Sequence, residues 1–142
     1  ASLVDSIKNL NPSVLRYPCG TPGNYWDWQT GWVTAPFSTC YPNGPNNVLT
    51  VRHEELKIGL DSCHADMLYN LNMLNSNLTY QLQGIDHAST LGIPIKYIEF
   101  GNEHNLQCDP IPAATYAANS KTWADTIKLH YPNSKICLVG LY

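Results

Sequence analysis

The sequence predicts an α/β fold in which helices alternate with the strands of a parallel sheet. Short apolar segments of strand length recur along the chain, and segments with helical spacing of apolar side chains separate them. Such alternation implies helical crossovers between parallel strands. The chain of 142 residues has the size of one small domain, taken as residues 1–142. The predicted strands are residues 14–18, 66–72, 95–101 and 135–141.

The first helix is predicted before the first strand. Its apolar face is formed by Leu3, Ile7 and Leu10. Pro18 then stops the first strand, because proline has no N–H to give to a sheet. Residues 19–49 are rich in glycine, proline, asparagine and aromatic residues and are predicted to form one long loop.

Three further helices are predicted from their start and stop signals. Thr50 is the expected N-cap of a helix over residues 51–63, and Ser76 or Asn77 is that of the next one. Gly92 is the expected stop of that second helix. The last helix carries aromatic and aliphatic residues at helical spacing, namely Tyr116, Trp123, Ile127 and Tyr131.

Two arrangements of a parallel sheet fit this order, a doubly wound sheet and part of a (β/α)8 barrel. No glycine-rich phosphate loop follows any predicted strand, which counts against a nucleotide-binding doubly wound domain. The long loop after the first strand favours the barrel, because barrels carry their chemistry in the loops that follow strands. Four strands are half of such a barrel.

Composition narrows the function classes. Charged residues are only 13% of the chain and the net charge is -3, so a basic surface that binds nucleic acid is not expected. No apolar run is long enough to cross a membrane.

The five cysteines show no zinc-ligand spacing, so no metal is expected, and no cofactor is predicted. An odd number of cysteines leaves at least one thiol free or paired with another chain. The Asn77-Leu78-Thr79 sequon, together with the cysteines, favours a secreted glycoprotein.

The end of the third predicted strand carries the strongest functional signal. Gly101 allows the backbone to turn sharply there, because glycine adopts conformations that other residues avoid. Asn102 and Glu103 then place an amide and a carboxyl side by side. An acid at the mouth of a barrel strand is a common way to place a general acid. The structural alternative is that Glu103 serves as a helix N-cap and ion-pair partner. Glu99 alternates away from the apolar positions of the strand and is given no catalytic role.

The loop after the first strand is the second candidate region. Trp26, Trp28 and Trp32 crowd a segment that should face solvent, and they either form a sugar-stacking wall or fold back as a plug with its own small core. Arg16 lies in an apolar strand and needs a partner, for which a carboxylate inside the barrel is the natural candidate.

Four segments stand out together, in this order along the chain: Arg16-Tyr17-Pro18-x-Gly20-Thr21, Asn24-Tyr25-Trp26-Asp27-Trp28, Leu71-Asn72-Met73-Leu74 and Glu99-Phe100-Gly101-Asn102-Glu103. This ordered set resembles retaining glycoside hydrolases of the large clan of (β/α)8 barrels, and the closest likeness is to the heparanase and α-L-arabinofuranosidase branch. The resemblance implies a partial barrel, about strands 2 to 5 with the intervening helices, which is the N-terminal half of the family's fold.

The resemblance also implies roles for individual residues. Glu103 looks like the catalytic acid/base, and Asn102 looks like the residue that binds the sugar 2-hydroxyl. The other substrate-binding candidates are Trp26, Trp28, Asn24, Asn72 and His104. Cys19 replaces the first glycine of the family's turn after the first strand. It lies near the expected place of Cys40 and Cys108, so a disulfide among these three is expected, with the pairing open.

Retaining hydrolysis needs a second carboxylate as nucleophile, which in this clan lies on strand seven, outside the chain. We therefore expect the chain alone to be inactive. Two partners are expected: a carbohydrate, and the rest of the parent barrel or another chain that completes it. Ile98 and Phe100 are expected on the inner face of the half barrel, only partly covered. The rival function is a non-catalytic extracellular scaffold, assembly or carbohydrate-binding protein that kept the fold.

Overall fold

The computed structural model describes residues 3–34, 36–41, 51–108 and 110–140. In this part of the chain four strands form one parallel sheet, and each strand pairs with its neighbour in the sequence. A doubly wound sheet reverses its strand order at a switch point, whereas a barrel segment does not. The predicted α/β partial barrel is therefore confirmed. The strands are β1 (Val14–Tyr17), β2 (Asp66–Leu71), β3 (Tyr97–Phe100) and β4 (Lys135–Leu138).

One of the described helices precedes β1, and the others lie between successive strands. The helices are α1 (Leu3–Leu10), α2 (Gly20–Gly23), α3 (Pro36–Cys40), α4 (His53–Cys63), α5 (Leu78–Thr90) and α6 (Ala113–His130). The described residues of the region predicted as one loop thus include two short helices, α2 and α3. The predicted cap Thr50 lies outside the described residues, and Arg52 occupies the N-cap position of α4. Asn77 caps α5, since its Oδ1 accepts a hydrogen bond from the Tyr80 N–H at 3.0 Å.

The two faces of the sheet differ in polarity because side chains alternate along each strand. Ile98 and Phe100 are both 0% exposed and belong to the core between the sheet and the helices. The expectation that they lie on an inner, partly covered face is wrong. The opposite, inner face also carries Val14 and Leu68, but towards the carboxyl ends of the strands its side chains are polar: Arg16, Asn70 and Glu99. The polar groups of the inner face are therefore concentrated at this end of the sheet.

Of the helices that the structure describes, none combines the length and the apolar character that a membrane crossing requires.

Candidate active site

The carboxyl ends of the parallel strands bring three polar side chains together on the inner face. Arg16 of β1 donates through Nε to Glu99 Oε2 of β3 at 2.5 Å, and Asn70 of β2 donates through Nδ2 to the same oxygen at 2.8 Å. Glu99 is therefore the carboxylate partner that Arg16 needs. Its Oε2 is engaged by both donors at once.

The turn that follows β3 has an unusual backbone. Gly101 has φ +78°, and a side chain there would collide with the His104 imidazole, so glycine is required. Glu103 also adopts a left-handed conformation, with φ 43° and ψ 49°. Such a conformation is uncommon for a residue other than glycine, and Asn11 and His64 adopt it as well.

The Glu103 side chain is exposed and is bound to its neighbour. Its Oε2 accepts a hydrogen bond from Asn102 Nδ2 at 3.0 Å. Glu103 stands at the N-cap position of a 3-10 turn, His104–Leu106, but makes no side-chain cap hydrogen bond. None of the ion pairs between described residues includes Glu103. The geometry thus does not support the structural alternative of a cap with an ion pair.

The orientation of the Asn102 amide follows from its two partners. Arg16 Nη2 donates to Asn102 Oδ1 at 2.9 Å, and a guanidinium has no acceptor, so the amide oxygen must face Arg16. The amide nitrogen then faces Glu103. Asn102 is 6% exposed and links the Arg16–Glu99 ion pair to the Glu103 carboxylate.

The tryptophans of the loop after β1 are mostly turned inward. Trp26 is 4% exposed, and its indole N–H donates to the Gly31 carbonyl at 3.2 Å. Trp28 donates to the Tyr80 carbonyl at 3.0 Å and stacks on His53 with 6.0 Å between ring centroids. This arrangement supports the alternative in which the loop folds back on a core of its own. Trp32, by contrast, is 56% exposed.

Asn72 is also buried, with 2% of its surface exposed. Its Nδ2 donates to the Trp26 carbonyl at 3.2 Å, and its Oδ1 accepts from the Asn75 N–H at 2.9 Å. The Nδ2 end of this amide thus joins the loop after β2 to the loop after β1, and the Oδ1 end closes a turn within the loop after β2.

His104 lies behind the turn, 1% exposed, with its ring 5.0 Å from that of Tyr116. Its Nε2 lies 3.2 Å from the Phe100 carbonyl, which can only accept, so Nε2 carries the proton. Burial lowers the pKa of His104, which keeps the imidazole neutral. Its Nδ1 has no hydrogen-bond partner among the described residues.

The predicted disulfide is present. It joins Cys40 and Cys108, whose Cα atoms lie 5.7 Å apart. The third candidate, Cys19, is a free and exposed thiol. The sequon residue Asn77 is exposed at the start of α5. No group of three metal-ligating side chains is present in the described ranges.

Two residues near Glu103 were missed by the sequence analysis. Asn70 joins Glu99 to the Gly101 carbonyl, to which its Nδ2 donates at 2.7 Å. A polar residue inside an otherwise apolar strand was the available signal. Gln107 donates through Nε2 to the carbonyls of Asn102 and Glu103 at 3.2 and 3.0 Å. Nothing in the sequence pattern marks that residue.

No protein-family model matches the sequence, and no curated protein does. Solved structures match the fold. An α-L-arabinofuranosidase from Thermotoga maritima, in complex with arabinose, matches 96% of this chain with a TM-score of 0.73 and 19% sequence identity. A GH51 α-L-arabinofuranosidase from Thermotoga petrophila RKU-1 matches 96% with a TM-score of 0.76 and 18% identity. A family 51 α-L-arabinofuranosidase from Bifidobacterium longum matches 97% with a TM-score of 0.76 and 18% identity.

The chain spans about a third of the length of these enzymes, 33%, 33% and 32% respectively. At such low identity the likeness concerns the fold. The chain is a partial (β/α)8 barrel with the glycosidase-like fold of the GH51 α-L-arabinofuranosidases.

Proposed function

We propose that this chain is the acid/base-bearing part of a retaining glycoside hydrolase that cleaves glycosidic bonds in a polysaccharide or glycan. The observation that carries the proposal is the placement of Glu103. Its carboxylate is exposed at the carboxyl end of β3 and is bound by the amide of Asn102, which is in turn oriented by Arg16. Barrel enzymes place their catalytic groups at this end of the strands.

In the proposed mechanism Glu103 transfers its proton to the glycosidic oxygen as the bond to the anomeric carbon breaks. A carboxylate from outside the described residues bonds to the anomeric carbon. Glu103, now ionised, then removes a proton from water, whose oxygen displaces that carboxylate. Asn102 holds the sugar 2-hydroxyl beside the reacting carbon. Glu99 is not a candidate for the nucleophile, because Arg16 and Asn70 hold it.

The sugar is proposed from the fold neighbours. The matched enzymes are named as α-L-arabinofuranosidases, so an α-L-arabinofuranoside is the first substrate to test. The Cys40–Cys108 disulfide supports an oxidising, extracellular location, and Asn77 is accessible to a glycan.

The test uses the full-length protein on a panel of aryl glycosides that includes 4-nitrophenyl α-L-arabinofuranoside. Glu103→Gln should abolish turnover, whereas Asp125→Asn, an exposed carboxylate on α6, should leave it unchanged. With Glu103→Ala, added azide should restore turnover and yield a glycosyl azide of retained configuration, because the anion needs no general base. The 142-residue chain alone should be inactive, since it lacks the proposed nucleophile.

Turnover that survives Glu103→Gln would refute the assignment. A full-length protein that binds sugars but turns over none of them would instead support the non-catalytic alternative.

A further inference from the structure

The backbone of Glu103 is held from two sides by side-chain amides. Its left-handed conformation costs on the order of 1 kcal/mol and persists only where the surroundings fix it. A general acid must also reach its proton acceptor within about 2.6–3.2 Å, so the position of this backbone decides whether the carboxylate can act.

Asn24 holds the turn from the loop after β1. Its Oδ1 accepts the Asn102 N–H at 2.8 Å, and its Nδ2 donates to the Asn102 carbonyl at 2.5 Å. This reciprocal pair fixes the peptide units on both sides of Asn102. Asn24 is 0% exposed and directs both of its polar side-chain atoms at the turn, so a sugar cannot reach its side chain.

Gln107 holds the turn from the other side. Its Nε2 donates to the carbonyls of Asn102 and Glu103, and its Oε1 accepts from the Tyr41 hydroxyl at 3.0 Å. The Cys40–Cys108 disulfide joins the residues adjacent to Tyr41 and Gln107. The disulfide at the end of α3 and the hydrogen bond from Tyr41, the residue after α3, thus both connect this part of the chain to the segment after Glu103.

We propose that Asn24 and Gln107 are positioning residues that hold Glu103 in its left-handed conformation and aim its carboxylate for proton transfer, an inference that rests on the proposed function. Asn24 then acts through the Asn102 backbone, in place of the sugar contact that the resemblance implies for it. Through Asn24, the loop after β1 thus fixes the backbone that carries Glu103, although the loop contributes none of the reacting atoms.

The test compares three variants of the full-length protein. Asn24→Ala removes the reciprocal pair, and Gln107→Met keeps side-chain length but removes the amide. Gln83→Met makes the same change at an exposed position of α5 and is the control. Asn24→Asp keeps the acceptor for the Asn102 N–H, loses the donor and introduces a carboxyl group; it replaces Asn24→Ala if the latter does not fold.

Hydrogen exchange of the Asn102 amide is the first measurement. We expect Asn24→Ala to accelerate it about 10-fold, the effect of losing one hydrogen bond of about 1.4 kcal/mol. If Asn24→Asp is used instead, the released carbonyl should still raise the exchange of residues 101–105. Exchange that matches the Gln83→Met control would overturn the proposal. This measurement does not depend on activity, so it decides the positioning role even if Glu103 is not the acid.

Leaving-group dependence is the second measurement. A nitrophenyl leaving group departs with little protonation, whereas an alkyl leaving group needs the acid. Gln107→Met should therefore lower kcat/KM on an alkyl glycoside about 10-fold to 100-fold more than on the nitrophenyl glycoside. Equal losses on both substrates would indicate a merely structural role and would overturn the proposal.

Discussion

His53 and His87 face each other across the contact between α4 and α5, with 3.1 Å between their Nδ1 atoms. His53 is 0% exposed, and its Nε2 lies 2.9 Å from the Tyr69 hydroxyl. Trp28 stacks on the His53 ring, and Glu54 lies 3.5 Å from His87 Nε2. A histidine in this setting is held neutral, which makes the stability of the fold depend on pH.

The expected direction follows from the pKa of His53, which burial, followed by the charge of His87, lowers from 6.5 to about 4. Because the folded pKa lies below the unfolded one, the unfolded chain binds more protons between these values. Stability should fall as the pH drops from 6.5 towards 4, by about 3 kcal/mol in total. Urea unfolding at several pH values measures this loss.

Two variants test the assignment of this pH dependence. His53→Gln should reduce the slope and leave the part that the buried His104 contributes, and His130→Gln, at an exposed position of α6, should leave the slope unchanged. A wild-type slope in His53→Gln would show that another group is responsible.

A second prediction concerns Gly101. Gly101→Ala should destabilise the protein by about 2 kcal/mol or more, because φ is +78° and the new methyl group meets His104. Gly59→Ala is the matched control, since that helical position has open space and alanine is the better helix former by up to about 1 kcal/mol. Thermal unfolding measures both, and equal effects would contradict the conformation of the turn.

A third prediction concerns Arg16, which binds Glu99 and Asn102 at once. Arg16→Met should lower kcat/KM by about 100-fold, because the Asn102 amide loses the partner that orients it towards Glu103. Arg16→Lys should restore little, since an ammonium lacks the planar fork that serves two acceptors. Arg52→Met is the control, because Arg52 is exposed and pairs only with Glu55 among the described residues. Full activity of Arg16→Met would refute this role.

A fourth prediction concerns the disulfide. Replacing both Cys40 and Cys108 by serine should cost about 2–4 kcal/mol, since the bridge closes a loop across a separation of 68 residues. Cys19→Ser, which removes a free exposed thiol, should leave stability unchanged. Denaturant unfolding distinguishes the two, and a similar loss in both would count against the assigned pairing.

The strands and the Gly101-Asn102-Glu103 turn could be predicted because they depend on local signals. Apolar alternation marks the strands, and glycine followed by two polar residues marks the turn. The inner and outer faces could not be assigned correctly, since alternation separates Ile98 from Glu99 without saying which one the helices cover. That choice depends on the packing of distant segments.

The loop after β1 shows the same limit. Its composition does not distinguish an exposed tryptophan wall from a plug. The choice is made by partners far along the chain: the Tyr80 carbonyl for Trp28 and the Asn102 backbone for Asn24. Gln107 acts on the backbone of residues four and five positions before it, a contact that depends on the path of the turn.

The Arg16–Glu99 ion pair joins strands that are not neighbours, because β2 lies between β1 and β3. A slip of one residue in either outer strand would turn one of the two charges to the opposite face of the sheet. The pair can form only when β1, β2 and β3 are all aligned correctly. The ion pair therefore favours the correct strand register. A sheet whose register is shifted by one residue would place an unpaired charge among apolar side chains.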